Sequence, residues 1–254
     1  MLEKQPECLT LFVGHHRCGS TLVRALLAAH KNALCSHELG RHKIYENIAT
    51  GAITPAIALN YIYDKATTQA FKAEKIIDAQ HKGTYDYVLT QADQHNVEEL
   101  LCLADKSGPW IAAGLRNDHS FVQKIQKHLN IPIKLINVVR NPWDNIAVMR
   151  IVGQKIAMYK NRCEGIAIAK LHHDVHDLYL DELTQQPRAT MNKLITFLGL
   201  PLYEKYGQIV QNLVWRKTHS RRNEHKWTDY EIGQTWKLIE TYEWLHRYKF
   251  KEKT

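Results

Sequence analysis

The chain has 254 residues, of which 44% are hydrophobic and 24% charged, as is ordinary for a soluble globular protein with a full core. Its formal net charge of +8 favours an anionic ligand, but the Lys and Arg residues are dispersed, which argues against a nucleic-acid binder. We predict no membrane span, since no apolar run reaches 18 residues, and we predict a cytoplasmic protein, since there is no signal-peptide pattern and the five cysteines lack disulfide-like spacing.

The first half of the chain alternates short apolar runs with helical patterns. Residues 9–14, LTLFVG, form the kind of run that predicts a buried parallel strand. A helix is predicted from Ser20, with one apolar face made of Leu22, Ala25, Leu26 and Ala29. The patterns that follow predict helices over 54–80 and 93–106, a candidate strand over 110–114 (WIAAG) and a helix over 119–129.

The second half continues this alternation. Its predicted elements are the clearest strand, IKLINVV at 133–139, a helix from about Pro142, a candidate strand at 175–180, a helix from Pro187 that stops at Gly199 and Pro201, an irregular stretch at 203–226 and a last helix at 229–247. The helix from Pro187 is expected to bury Met191, Leu194, Ile195 and Leu198. We therefore expect a single three-layer α/β domain over residues 1–254, with a central parallel sheet and a phosphate-binding loop after the first strand.

The loop after the first strand, GHHRCGST, predicts an anion site. Gly14 and Gly19 are spaced as in the phosphate loop G-x-x-x-x-G-K-[ST], but Ser20 stands where the lysine belongs, and Arg17 is the loop's strong cation. Backbone N–H groups, the positive end of the following helix and the hydroxyls of Ser20 and Thr21 would converge on a phosphate or sulfate. Cys18 is interpreted as a small residue that fits the turn.

Two features of a nucleotide triphosphatase are replaced. The loop lacks its lysine, and the strand at 133–139 runs into Arg140 rather than a magnesium-binding aspartate. The ligand is therefore predicted to carry several negative charges and to need no metal. The histidines at His172, His173 and His176 lack a nearby cysteine or acid at ligand spacing, so we predict no metal site there.

Three stretches resemble one known family. GHHRCGSTLVRALL, LINVVRNPWDNIAVM and HDLYLDELTQQPRATMNKLITFLGLP are similar, in this order, to motifs of the PAPS-dependent sulfotransferases (PAPS is 3′-phosphoadenosine 5′-phosphosulfate). The loop pattern is most similar to those of the tyrosylprotein and bacterial enzymes. The resemblance implies transfer of a sulfuryl group from PAPS to an acceptor hydroxyl or amine, with release of adenosine 3′,5′-bisphosphate (PAP).

The resemblance also implies roles for residues of the donor site. Arg17 would neutralise charge on the bridging oxygen, Arg140 would pair with the 3′-phosphate, and the 5′-phosphosulfate would be held by Cys18, Gly19, Ser20, Thr21 and Leu22. The family usually has a serine eight residues after the arginine, but Val148 stands there, and Asn145 is a candidate replacement. Arg221 and Arg222 lie in a basic stretch, 215–227, where the family closes over the nucleotide.

Two residues are candidates for the base that takes the acceptor's proton. Glu38, 21 residues after Arg17, resembles the catalytic glutamate of the tyrosylprotein enzymes. His119, 21 residues before Arg140, resembles the histidine of the cytosolic enzymes, and Arg116 in the same segment is a further candidate contact. We prefer Glu38.

Other functions and several acceptors stay open at this stage. The alternatives are a nucleotide-dependent phosphotransferase and a non-catalytic PAPS- or polyanion-binding module. The acceptor can be a sugar, a peptide, a lipid or a small metabolite, and residues 41–110 are predicted to hold much of its pocket.

Overall fold

A computed structural model describes residue 2 and residues 4–80, 99–214 and 220–250 of the chain. In this part the sheet consists of β1 (Cys8–Phe12), β2 (Ala33–His37), β3 (Cys102–Lys106), β4 (Ile133–Val139) and β5 (Val175–Tyr179). Their order is β2-β3-β1-β4-β5, and every neighbouring pair is parallel. The predicted α/β class with a central parallel sheet is confirmed.

Helices cover both faces of this sheet. They are α1 (Ser20–Ala28), α2 (Ile44–Ala49), α3 (Pro55–Gln80), α4 (Gly108–Asn117), α5 (Phe121–Leu129), α6 (Pro142–Ile151), α7 (Ile156–His172), α8 (Leu180–Gln185), α9 (Pro187–Leu198), α10 (Glu204–Leu213) and α11 (Asp229–Thr241), with short 3-10 turns at Leu39–His42 and Glu243–Leu245. None of the described helices is long and apolar enough to cross a membrane.

Alternation along β1 explains the three layers. Leu9 and Leu11 point into a core shared with α4 and α5, whereas Cys8 and Phe12 point into a second core shared with α1 and α9. The predicted inward faces of α1 and α9 are both buried, which confirms the helical patterns read there. A parallel strand covered on both sides must be apolar throughout, and this is the property that made β1 and β4 recognisable.

Two predicted elements are wrong. Residues 110–114 are helical and belong to α4, because Pro109 occupies its first turn and starts the helix two residues before the apolar run. Residues 102–106 form β3 rather than the end of a helix over 93–106, of which 93–98 lie outside the described residues. Short apolar runs do not distinguish a buried helix from a buried strand by periodicity. Helices α2, α7, α8 and α10 were not predicted, and α10 lies within the stretch at 203–226 that was predicted to be irregular.

The topology brings two loops together at the carboxyl edge of the sheet. The chain leaves β1 towards β2 on one side, while β4 lies on the other side of β1 and leads outward to β5. Connections that diverge from neighbouring strands leave a crevice between them, where open α/β sheets bind ligands. The loop after β1 and the start of α6 after β4 meet at this crevice.

Candidate active site

The loop between β1 and α1 is held in an unusual backbone conformation. Arg17 has φ 61° and Gly19 has φ 95°, both in the left-handed region. The left-handed φ of Gly19 favours glycine at this position, and a Cβ there would also have to displace the end of the Leu180 side chain, 2.8 Å away. Ser20 and Thr21 open α1 and stay half-exposed, so the unpaired amides of the helix start lie at the loop, while the Leu22 side chain is buried in the core.

The two predicted anion-binding arginines are brought together. Arg17 is exposed at the tip of the loop. Arg140, which follows β4, donates a hydrogen bond from Nη1 to the Arg17 carbonyl oxygen at 2.9 Å. The guanidinium of Arg140 thus lies directly beside the loop although the two residues are 123 positions apart in sequence.

Three buried side chains hold the loop from behind. Asn145 on α6 is fully buried and donates from Nδ2 to the His16 carbonyl oxygen at 2.7 Å. Cys18 is buried and donates to the His15 carbonyl oxygen at 3.1 Å, and burial raises the pKa of its thiol. His15 stacks on Tyr159 with 3.8 Å between ring centroids, and burial lowers its pKa to about 3. In this arrangement Asn145 and Cys18, both predicted as nucleotide contacts, support the loop rather than face the crevice.

Glu38 stands at the end of β2, also in a left-handed conformation with φ 58°. Its Oε1 accepts from Nζ of Lys106 at 2.8 Å, and its Oε2 accepts from Nη2 of Arg41 at 3.0 Å. Burial acts to raise the pKa of Glu38, but Lys106 and the other neighbouring cations outweigh it and lower that pKa below its ordinary value. The side chain is therefore a carboxylate at neutral pH.

Lys106 is a site residue that the sequence analysis missed. It ends β3, beside His37 in the register of β2, and its side chain is only 7% exposed. Since β3 lies between β2 and β1, this lysine stands between Glu38 and the loop. A lysine at the carboxyl end of a buried strand would have been a signal, had residues 102–106 been recognised as a strand.

Neighbouring polar groups fix this edge. The carboxylate of Asp105 is fully buried and accepts from Oγ of Ser36 at 2.7 Å and from the hydroxyl of Tyr45 at 2.8 Å. Oγ of Ser107 accepts from the Gly40 amide at 2.7 Å. The turn that follows Glu38 is thereby tied to the end of β3, so the Glu38–Lys106 pair is rigidly supported.

His16 is a residue of the loop that is close enough to Glu38 and to Arg162 for their charges to affect its pKa. Its ring lies edge-on to Trp110, with 5.6 Å between centroids, and the guanidinium of Arg41 lies 5.7 Å from the centre of the Trp110 ring. Burial lowers the pKa of His16 to about 4, helped first by the positive charge of Arg162 and opposed by Glu38. The imidazole is therefore neutral at pH 7 and lies among charged side chains.

His119 is not brought to this site. Helix α4 begins at the loop, where the Gly14 amide donates to the Gly108 carbonyl oxygen at 3.2 Å, and its ten residues span about 15 Å. His119 follows the far end of α4, exposed, with its ring 6.5 Å from that of His172 at the end of α7. This placement argues against the alternative base. Arg116, at the same end, pairs with Glu164.

The basic segment near the C-terminus is fixed to α6 through one acid. Asp144 accepts from the Ser220 hydroxyl and the Arg221 amide, each at 2.9 Å, and its carboxylate pairs with the Arg222 guanidinium at 2.5 Å. Arg221 pairs with Glu224. The segment therefore lies beside α6, the helix that follows Arg140, and the Arg222 guanidinium is engaged with Asp144. Residues 215–219 lie outside the described residues.

Within the described ranges, no group of three or more His, Cys, Asp or Glu side chains is placed to hold a metal ion. Val148 is half-buried on α6. The residues around the start of β5, and therefore at the end of that strand away from the crevice, include His172, His173 and His176. All five cysteines are buried and free.

Comparison with protein families gives a match over most of the chain. The model described as the sulfotransferase family matches residues 11–205, a span that includes the loop, Glu38, Lys106 and Arg140. The chain belongs to the sulfotransferase family. A comparison with curated proteins finds no match.

Solved structures similar to this sulfotransferase are distant in sequence. The sulfotransferase domain of the olefin synthase of Synechococcus PCC 7002 is 14% identical, with 90% of this chain and 83% of that chain covered and a TM-score of 0.48. Sulfotransferase STF9 of Mycobacterium avium is 12% identical, with coverages of 95% and 78% and a TM-score of 0.44. Mouse sulfotransferase SULT7A1, complexed with PAP, is 9% identical, with coverages of 94% and 85% and a TM-score of 0.46.

Proposed function

We propose that this sulfotransferase takes its sulfuryl group from PAPS and transfers it to an acceptor hydroxyl or amine. The observation that carries the proposal is the contact between the Arg140 guanidinium and the Arg17 carbonyl oxygen. It joins the two motifs that resemble PAPS-binding sequences and so supports a single anion site to which both Arg17 and Arg140 contribute. A donor with a phosphosulfate at one end and a phosphate at the other matches a site built from these two motifs.

The donor is held from two strands. The half-exposed Ser20 and Thr21 at the start of α1, with the amides of the loop, bind the 5′-phosphosulfate. Arg140, at the end of β4, binds the 3′-phosphate in the fork geometry that suits a guanidinium. Cationic ligands of this kind neutralise the donor without a metal ion, and we expect activity to be independent of magnesium.

The transfer step uses Glu38, Lys106 and Arg17. The hydroxyl oxygen of the acceptor attacks sulfur while Glu38 takes the hydroxyl proton. The bond from sulfur to the 5′-phosphate oxygen breaks, and PAP leaves with the electron pair of that bond. Arg17 and Lys106 stabilise the negative charge on the transferring group and on the leaving oxygen. The ion pair with Lys106 keeps Glu38 ionised and aimed at the crevice before the acceptor arrives.

Titration of PAPS and of adenosine 5′-phosphosulfate, which lacks the 3′-phosphate, tests this proposal. A charge-assisted contact contributes about 1.5–3 kcal/mol, so wild type should prefer PAPS by about 10- to 150-fold. Val148 favours the lower half of that range, because the hydroxyl partner usual in the family is absent. Arg140→Ala should remove most of the preference and barely change binding of the donor without the phosphate.

A surface arginine supplies the matched control. Arg188 on α9 forms an exposed ion pair with Glu204 away from the crevice, so Arg188→Ala should keep the full preference. Equal binding of the two nucleotides by wild type would show that Arg140 does not read a 3′-phosphate. Tighter binding of ATP with magnesium than of PAPS would favour a phosphotransferase instead.

A further inference from the structure

Arg162 on α7 is a cation that the proposed transfer does not use. Its side chain is half-buried, and its Nε atom is buried without a hydrogen-bond partner. Among the described residues no carboxylate forms an ion pair with it. Partial burial of a guanidinium without a counter-charge is unfavourable, and an anion bound beside it would relieve that cost.

The packing of α7 places Arg162 beside the loop. Tyr159 stacks on His15, and Sγ of Cys163 lies 3.7 Å from Nε2 of the same ring. Arg162 is three residues after Tyr159, so the two side chains are neighbours on the helix surface near the loop. Three residues further on, Gly165 touches α4, since a Cβ there would lie 2.0 Å from the Ala112 carbonyl oxygen.

Helices α4 and α7 both start near the loop and extend away from it. The distance of Arg162 from the loop, measured along the helix axes, therefore follows from the residues that touch. Gly108 at the start of α4 bonds to the loop, whereas the far ends of α4 and α7 meet at His119 and His172. With Gly165 level with Ala112, Arg162 is about one turn closer to the loop, level with the start of α4. Trp110 lies in that turn, edge-on to the His16 ring, and the charge of Arg162 lowers the pKa of the same ring.

The charged groups near Arg162 are cations or acids that already have partners. Burial lowers its pKa, and the positive charge of Arg116 acts in the same direction. The nearest acid in sequence, Glu164, is paired with Nε of Arg116 at 2.5 Å and approached by Lys160 at 4.0 Å. Glu38, whose charge acts on His16 with the opposite sign, is paired with Lys106 and Arg41.

We propose that the acceptor of this enzyme is anionic, and that Arg162 binds a carboxylate, sulfate or phosphate group of the acceptor next to the hydroxyl to be sulfated. The inference rests on the proposed function, which puts the base Glu38 and therefore the acceptor on this side of the loop. The charges of Arg162 and Glu38 both act on the pKa of His16, so both residues are near that ring. Arg140, in contrast, contacts the loop at the Arg17 carbonyl oxygen. The acceptor's anion completes the ion pair that the protein itself does not supply.

Matched ligand pairs that differ only in charge test the inference. The probes are 4-nitrophenyl β-D-glucuronide against the corresponding glucoside, and 4-hydroxyphenylacetate against its amide, titrated with and without saturating PAP. Wild type should bind the anionic member of at least one pair about 10- to 100-fold more tightly, the range of a charge-assisted hydrogen bond. Arg162→Gln should erase that preference, and Arg162→Lys should keep part of it.

Two controls separate the possible outcomes. Arg116→Gln, which removes a neighbouring cation that already has a partner, should leave most of the preference. The Arg162→Gln protein should bind PAP as wild type does and should unfold at an equal or higher temperature. Three results would overturn the inference. The first is that wild type binds the charged and uncharged members of every pair equally or binds no probe at all, and the second is that its preference survives in Arg162→Gln. The third result is that Arg162→Gln loses PAP affinity to the same extent as it loses the preference. Failure of wild type to bind PAP would instead contradict the proposed function.

Discussion

Replacement of Asp144 by alanine should destabilise the protein strongly, because this side chain joins α6 to the segment at 220–222. Its carboxylate is 8% exposed and pairs with the Arg222 guanidinium, which is 11% exposed. Burial opposes ionisation of Asp144, but Arg222 and the other donors outweigh it and lower the pKa of the carboxyl. The pair is thus a buried one, in which each charge depends on the other.

The expected size follows from that burial. Removal of one partner of a buried ion pair costs about 3–5 kcal/mol, because the other charge stays buried without compensation. For a chain of 254 residues, about 2–4 °C of Tm is lost per kcal/mol, so Asp144→Ala should lower the Tm by roughly 6–20 °C. The folded-state pKa of Asp144 is lowered. The contribution of its charge to the free energy of unfolding is therefore full above about pH 4, and it is lost as the pH falls through the folded-state pKa.

Thermal unfolding followed by circular dichroism provides the assay, with Arg222→Met and the double variant as companions. The double variant leaves no unpaired charge and should recover most of the loss. PAP affinity should fall in Asp144→Ala, since residues 220–222 would no longer be held beside Arg140. A Tm within about 2 °C of wild type, or a double variant as unstable as the sum of the two single variants, would refute the reasoning.

Three further predictions concern the transfer. Arg17→Ala should reduce turnover of labelled PAPS by at least ~10²-fold without changing the Tm, because the side chain is exposed and its charge acts on the transition state; near-normal activity would contradict this role. Activity should survive excess EDTA, and complete loss that magnesium restores would favour phosphoryl transfer. Glu38→Gln should reduce kcat by about 10²- to 10⁴-fold, and the acid limb of wild-type kcat/KM should lie below the ordinary glutamate pKa of about 4.3, because Lys106 and the other cations outweigh the effect of burial. An acid limb near 6.5 would transfer the role to a histidine.

The parts of the fold and site that follow from local patterns were predictable. The loop after β1 and the strand that ends at Arg140 carry their signals within a few residues, and the structure places them side by side. Lys106 could not be found in this way, because CLADK contains good helix formers and becomes a strand only when two neighbouring strands pair with it. The engagement of Arg222 with Asp144 spans 78 residues and depends on tertiary packing alone.

The close contact between α4 and α7 at Gly165 fixes the distance between the two helices that carry Trp110 and Arg162. At Gly165 the helices approach until even a methyl carbon would stand 2.0 Å from the Ala112 carbonyl oxygen, so any larger residue acts as a wedge. Trp110 lies on α4 and Arg162 on α7, so a larger residue at position 165 would increase the distance between these two side chains. If the acceptor binds beside these two side chains, as proposed, a larger residue at Gly165 should change the size of acceptor that fits without altering any side chain of the proposed site.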